Sequence, residues 1–266
     1  VRSRATRACE LIARVPELRT DVRRASLWGE CQRLQGHVTE AESTFRVAAN
    51  YRPALLGLAR LYRDHSQTAE SIASYRRLLV LHPEHADARL ELGQMLMAVG
   101  NHIEAAPLIE QAASQQPGSS TAQLALARIR MAQDRATDAV ATLRQVLRRD
   151  RRNAQAHALL GRALVQEGTS MAEAERALRR GLQSVPNDAE ATAALAEVMM
   201  TRGDPDEALR LLQRAADLSP TSTAALIRAG QIALEQGRPV LATGFLRRAL
   251  LIDPNSEQVQ WLLGGR

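Results

Sequence analysis

The chain has 266 residues, 45% hydrophobic and only 3% aromatic, with a net charge of +6 and a pI near 10.4. No apolar run reaches the roughly 18 residues that a membrane-spanning helix requires, and the start shows no signal-peptide pattern. The 35 basic side chains are all arginine; this is read as the codon bias of a GC-rich bacterial genome, with selection for forked anion recognition as the alternative. The positive charge favours acidic partners in general.

In chain order, residues 1–21 are expected to form a second helix without its first. Cys9 and Cys31 show neither a disulfide framework nor a metal-ligand spacing, so each is expected to pack as a small core residue. From there the sequence repeats. Gly or Ala falls at 29, 59, 93, 127, 161, 196, 230 and 264, and five of the seven intervals are 34 residues. Such a period means that the chain stacks copies of a small unit rather than closing one core. Seven units are expected, at 22–51, 52–85, 86–119, 120–153, 154–188, 189–222 and 223–256. Residues 257–266 begin a further first helix. Because the chain opens on Val and stops within a unit, the array is expected to continue at both ends of a longer protein, and its exposed ends are candidates for self-association.

The stretch 86–119 shows what each unit contains. Leu92, Leu96 and Val99 form one apolar stripe at helical spacing, and Gly100-Asn101 breaks the pattern. A second stripe follows through Ala105, Ile109 and Ala112 and ends before Pro117-Gly118. Each unit is therefore predicted to be two antiparallel helices of about a dozen residues. Three columns recur. One is small on the first helix (Gly29, Ala59, Gly93, Ala127, Gly161, Ala196, Gly230). One is small on the second helix (Ala41, Ser71, Ala105, Ala139, Ala174, Ala208, Ala242). The third is large and apolar on the second helix (Phe45, Tyr75, Ile109, Leu143, Leu178, Leu212, Leu246). Small residues at both positions let two helix backbones cross closely, and the large column fills the space beside them. Gly36, Gly100, Gly168, Gly203 and Gly237 occupy the turn inside the unit, where a left-handed backbone is expected. Asp204-Pro205 and Arg238-Pro239 place Pro at the start of a second helix.

These columns resemble the tetratricopeptide repeat over nearly the whole chain. The resemblance implies an all-α fold, an α-solenoid of antiparallel helix pairs wound as a right-handed superhelix. Departures are local: the first unit is four residues short near 50–53, 168–170 holds a one-residue insertion, and Asp134 stands where the turn Gly is expected.

No catalytic constellation is found, and no cofactor, metal or small-molecule substrate is implied. His82 and His85 flank a loop without a third ligand, and the chain lacks a phosphate loop or nucleophile elbow. The resemblance instead implies a concave groove lined by first helices. Its candidate residues are Glu30, Arg33, Arg60, Arg63, Gln94, Met97, Arg128, Met131, Arg162, Val165, Glu197, Met200, Gln231 and Leu234. The wall is arginine-rich at first and then apolar, which suits a protein segment bearing acidic and apolar side chains. With no Lys, and no Asn at the corresponding positions, the chain lacks the family's carboxylate clamp, and it lacks the family's asparagine ladder as well. A second candidate is an anion patch at Arg148, Arg149, Arg151 and Arg152. Few aromatics accompany it, so stacking on nucleic-acid bases is poorly supplied.

The expected function is a non-catalytic scaffold for protein partners, in a bacterial assembly such as the exopolysaccharide (including cellulose) secretion machines. The alternatives are an interaction module of a larger enzyme, such as a transferase, and polyanion binding through the arginine clusters. The compartment stays open between periplasm and cytoplasm.

Overall fold

The computed structural model describes Cys9 and residues 21–264. The helix expected over 1–21 lies outside the described residues except at its Cys9 and Asp21 positions. Among the described residues the fold is all-α, with no strand. The helices are α1 (Val22–Gln35), α2 (Val38–Val47), α3 (Arg52–Asp64), α4 (Thr68–Leu81), α5 (Ala86–Ala98), α6 (His102–Gln115), α7 (Ser120–Ala132), α8 (Ala136–Arg149), α9 (Ala154–Glu167), α10 (Met171–Ser184), α11 (Ala189–Thr201), α12 (Pro205–Leu218), α13 (Ala224–Glu235), α14 (Pro239–Ile252) and α15 (Glu257–Gly264). The chain forms two compact units, Val1–Ala125 and Leu126–Arg266, with the division inside α7. In the first unit α1 packs on α2 and α3, and α4 on α3 and α5; in the second, α9 packs on α8, α10 and α11. Successive first helices therefore touch within each unit.

Local sequence sets the helix ends. The side chains of Asp21, Asn101, Asn153, Asp188 and Asp204 accept hydrogen bonds from first-turn amides of their helices. Each satisfies a donor that has no intrahelical partner. Asn101 and Glu104 bond reciprocally, the Asn101 amide nitrogen also donating to the Glu104 carboxylate. The five turn glycines all adopt positive φ, from 66° to 82°. Where glycine is missing the turn keeps its shape: Ser66 and Asp134 take φ of 59° and 60°, at a steric cost that glycine avoids.

The three columns meet as their chemistry predicts. Every member of the large column, from Phe45 to Leu246, is at most 1% exposed, and every member of the small second-helix column is fully buried. A Cβ added to Gly29 would lie 2.7 Å from the Phe45 ring, and one on Gly93 would lie 2.6 Å from Ile109. At Gly161 and Gly230 it would lie 2.4 Å from Leu178 and 2.7 Å from Leu246. The large side chain is thus seated directly on the glycine of the preceding helix. Ser71, the polar member of the small column, donates its hydroxyl to the Ala59 carbonyl at 2.7 Å, so burial leaves it satisfied.

The short unit loses its residues from one place. The second helices α4, α6, α8, α10, α12 and α14 each have 14 residues, whereas α2 has 10. Four residues is about one helical turn, so the faces of the unit stay in register. The insertion at 168–170 is absorbed by α9, which runs to 14 residues before Gly168 takes the left-handed turn.

One expectation is corrected. Cys9 and Cys31 are buried, as small core residues would be, but they are joined in a disulfide across 22 residues of sequence. Their separation crosses the boundary between the leading segment and the first full unit, and no internal spacing rule reveals it.

Candidate partner-binding surface

The fourteen residues expected to line the first-helix wall all lie on α1, α3, α5, α7, α9, α11 or α13, and none is buried. Thirteen of the fourteen have a buried neighbour in sequence; Met131, between the partly exposed Arg130 and the exposed Ala132, does not. Leu96 is 2% exposed beside Met97, Leu164 is 0% beside Val165, and Met199 is 4% beside the half-buried Met200. Helical geometry therefore sends one side chain into the core and turns the next outward.

The wall arginines of the first unit, Arg33, Arg60 and Arg63, are not free guanidinium groups. Arg60 donates from Nη2 to Glu91 at 2.5 Å, and Arg63 reaches the same carboxylate at 2.7 Å. The buried Tyr75 hydroxyl donates to it as well, at 2.5 Å. Burial works against the Glu91 carboxylate, but the hydrogen bonds from Arg60 and Tyr75 and the charges of Arg60 and Arg63 outweigh it and hold its pKa below the ordinary range. Burial, and then the bond to Glu91, pushes the Tyr75 phenol up. Arg33 is bridged in the same way, to Glu30 at 2.7 Å on its own helix and to Asp64 on the next first helix. This part of the wall is a charge network built in advance, with Glu91 at its centre.

The second unit uses one of these links with the charges exchanged. Arg228 forms a two-pronged pair with Glu197, at 2.7 and 2.8 Å, and the two residues are 31 positions apart. Arg60 and Glu91 are also 31 apart. In each case the residue just after the small column of one repeat meets the residue two before that column in the next. Glu91, Asp64 and Arg228 therefore stand on the same face, with the buried Tyr75 beneath Glu91, although the first-helix pattern alone did not single them out. The signal was present in the sequence as opposite charges one repeat apart, less three positions.

Arg128 and Arg162 are brought together at a cleft of about 200 Å³, whose wall also includes Leu159, Asp188 and Glu190. Arg162 is ion-paired to Glu190. On the same helix as Arg162, Gln166 donates to the Met131 carbonyl and to Asp134 of the preceding repeat, at 3.0 and 3.1 Å.

The 148–152 cluster divides. Arg148 and Arg151 line a larger cavity on the second-helix side, while Arg149 and Arg152 do not. Of the two loop histidines, His85 has a local role: its Nδ1 accepts from the Ala88 amide and caps α5. Among the described residues, no group of three or more His, Cys, Asp or Glu side chains is placed to hold a metal ion, and no helix is long and apolar enough to cross a membrane.

The sequence profile of the tetratricopeptide repeat matches residues 56–120, 96–163, 164–214 and 199–264. The chain belongs to the tetratricopeptide repeat family. No curated protein matches it in sequence. Solved structures show the same repeat fold at low identity. Cut9–Hcn1 of the APC/C superposes with a TM-score of 0.72 at 17% identity, covering 99% of this chain but 52% of that one. PilW, a type IV pilus biogenesis factor, gives 0.66 at 20% identity, covering 80% and 98%. A thermophilic tetratricopeptide protein of Thermus thermophilus gives 0.59 at 20%, covering 68% and 97%. The tetratricopeptide fold is one of protein-interaction scaffolds.

Proposed function

We propose that the first-helix surfaces of this tetratricopeptide protein hold segments of partner proteins, and that the chain itself is a non-catalytic scaffold. The observation that carries this reading is the outward turn of Met97, Val165, Met200 and Leu234 beside buried neighbours, with Met131 partly exposed at the same recurring position. Partly exposed apolar side chains at one recurring position are adaptable contact surface. The charge network around Glu91 leaves carboxylate and guanidinium groups at the edge of the same face, where they select register rather than supply most of the affinity.

The reading extends to a bacterial multiprotein assembly of the exopolysaccharide-secretion kind. Its support is the repeat architecture, together with the Cys9–Cys31 disulfide, which favours an oxidising compartment such as the periplasm over the cytoplasm. The structural neighbour PilW is a pilus biogenesis factor, an assembly role of the same general type. The test replaces Met97, Met131 and Met200 with Asp in the full-length protein. Partner capture should be lost while the far-ultraviolet helical signal is kept. Unchanged capture would refute the surface assignment, and a matching loss of helix would show that these side chains are core.

A further inference from the structure

Arginines converge on a cavity of about 680 Å³ formed by α8, α9 and α10 of the second unit. Arg144, Arg148, Arg151, Arg176 and Arg180 line it, with Glu173 as the single acidic residue. Spacing explains the convergence. Arg144 and Arg148 are one turn apart on α8, and Arg176 and Arg180 are one turn apart on α10, so each pair lies on one stripe of its helix. Glu173 is taken by Arg144 at 2.7 Å. The other four guanidinium groups have no ion-pair partner among the described residues. They differ in this from Arg76, which is matched by Glu104 on the same side of the first unit at 2.8 Å.

The floor is different in character. Leu147, Leu160 and Ala177 present apolar surface, and two of the three are buried. His157, more than nine-tenths buried, stands in the wall. Its Nε2 lies 3.0 Å from the Arg151 carbonyl, which ties the turn after α8 to α9, while its Nδ1 has no hydrogen-bond partner in the protein. A buried polar atom without a partner is unusual in a finished core. Four unmatched cations also repel one another, and forked guanidinium groups bind oxyanions in two-pronged geometry.

We infer that this second-helix cavity is a docking site for an acidic segment of a partner protein, its carboxylates on Arg148, Arg151, Arg176 and Arg180 and an apolar side chain on Leu147 and Leu160. This site is separate from the first-helix surface and does not depend on it. An acidic peptide fits better than a nucleic acid because the basic groups surround an apolar floor and no Phe, Tyr or Trp lines the cavity to stack on bases.

The experiment measures binding of a fluorescein-labelled peptide of alternating Glu and Leu to the intact chain by fluorescence anisotropy. Comparison probes are an all-Glu peptide of the same length and single-stranded oligothymidylate. The variants are Arg148→Gln/Arg151→Gln, Arg176→Gln/Arg180→Gln and Arg149→Gln/Arg152→Gln, each checked for unchanged circular dichroism. All three remove the same charge, and the last pair lies outside the cavity. Either cavity pair should weaken the Glu/Leu peptide at least about tenfold, as expected for two charge-assisted hydrogen bonds, and the outside pair less than about threefold. Equal weakening by all three pairs would reduce the effect to overall charge and overturn the site. Absence of binding, equal binding of the all-Glu peptide, or tighter binding of oligothymidylate would overturn it too.

Discussion

Gly161→Ala isolates the close packing on which each repeat depends. In an open helix this change gains about 1 kcal/mol of helix propensity. Here the new Cβ would lie 2.4 Å from Leu178 Cγ, 2.8 Å from its Cδ2 and 3.0 Å from the Ala174 carbonyl oxygen. Cγ is the branch point of a fully buried leucine and cannot swing aside within its rotamer. The carbonyl is backbone and is fixed by its helix. Overpacking of this kind costs about 1–3 kcal/mol, so the net effect is destabilisation of about 1 kcal/mol. Gly244 on α14 is the internal control, because a Cβ there meets nothing within 4 Å. Gly244→Ala should therefore stabilise by up to about 1 kcal/mol. A double-mutant cycle adds the cause. Leu178→Ala alone should cost about 2–5 kcal/mol, yet Gly161→Ala should become stabilising in that background. Urea denaturation followed by circular dichroism gives the midpoints. If Gly161→Ala raises the wild-type midpoint as Gly244→Ala does, the packing argument is wrong.

Three further outcomes follow from named contacts. Glu197→Arg should weaken the second unit by setting like charges together, and Glu197→Arg/Arg228→Glu should recover about 1 kcal/mol, because the Arg60–Glu91 pair shows that the reverse order fits this spacing; equal midpoints for the single and double variants would refute the pairing. Because the Glu91 pKa is depressed in the folded state, its stabilisation is complete above the ordinary glutamate value of 4.5 and is lost as pH falls below that value through the folded pKa. Glu91→Gln should therefore be less stable than wild type at neutral pH and converge with it in acid, a pattern read from midpoints across the pH series; a constant difference at all pH values would contradict the assignment. The unreduced protein unfolded in guanidinium should show no reactive thiol, and reductant should expose both cysteines and lower the stability by about 3 kcal/mol, as expected for release of a loop of this size; thiol labelling before reduction would contradict the disulfide.

The helix pairs were legible because their signal is periodic and chemically narrow. Only small residues fit where Gly161 meets Leu178, and only glycine takes the Gly168 turn without steric cost, so both recur in step. Ser71 and Asp134 break the residue type but keep the geometry, one through a hydroxyl bonded to the Ala59 carbonyl and the other through a strained φ. For the candidate surface, the outward position of its residues was legible and their side-chain partners were not. Met97 and Met200 could be placed outward from helical phase alone. That Arg60 and Arg63 would share Glu91, and that Tyr75 would join them, depends on how one repeat stacks on the next. The division of the 148–152 arginines has the same origin, since Arg151 is directed by the turn that His157 holds. The Cys9–Cys31 bond joins a leading segment outside the repeats to a residue of the first one, and neither cysteine recurs in step, which is why periodicity could not disclose it.

The account rests most on the assignment of partner contact to the first-helix face. A photo-crosslinking amino acid placed singly at Met97, Met131 or Met200, and in parallel at the exposed second-helix positions Ile103, Val240 and Leu251, tests it in the full-length protein. The account predicts that the segment lost in the methionine-to-aspartate variants crosslinks from the three methionine positions and not from the other three. Crosslinks confined to Ile103, Val240 and Leu251 would contradict it.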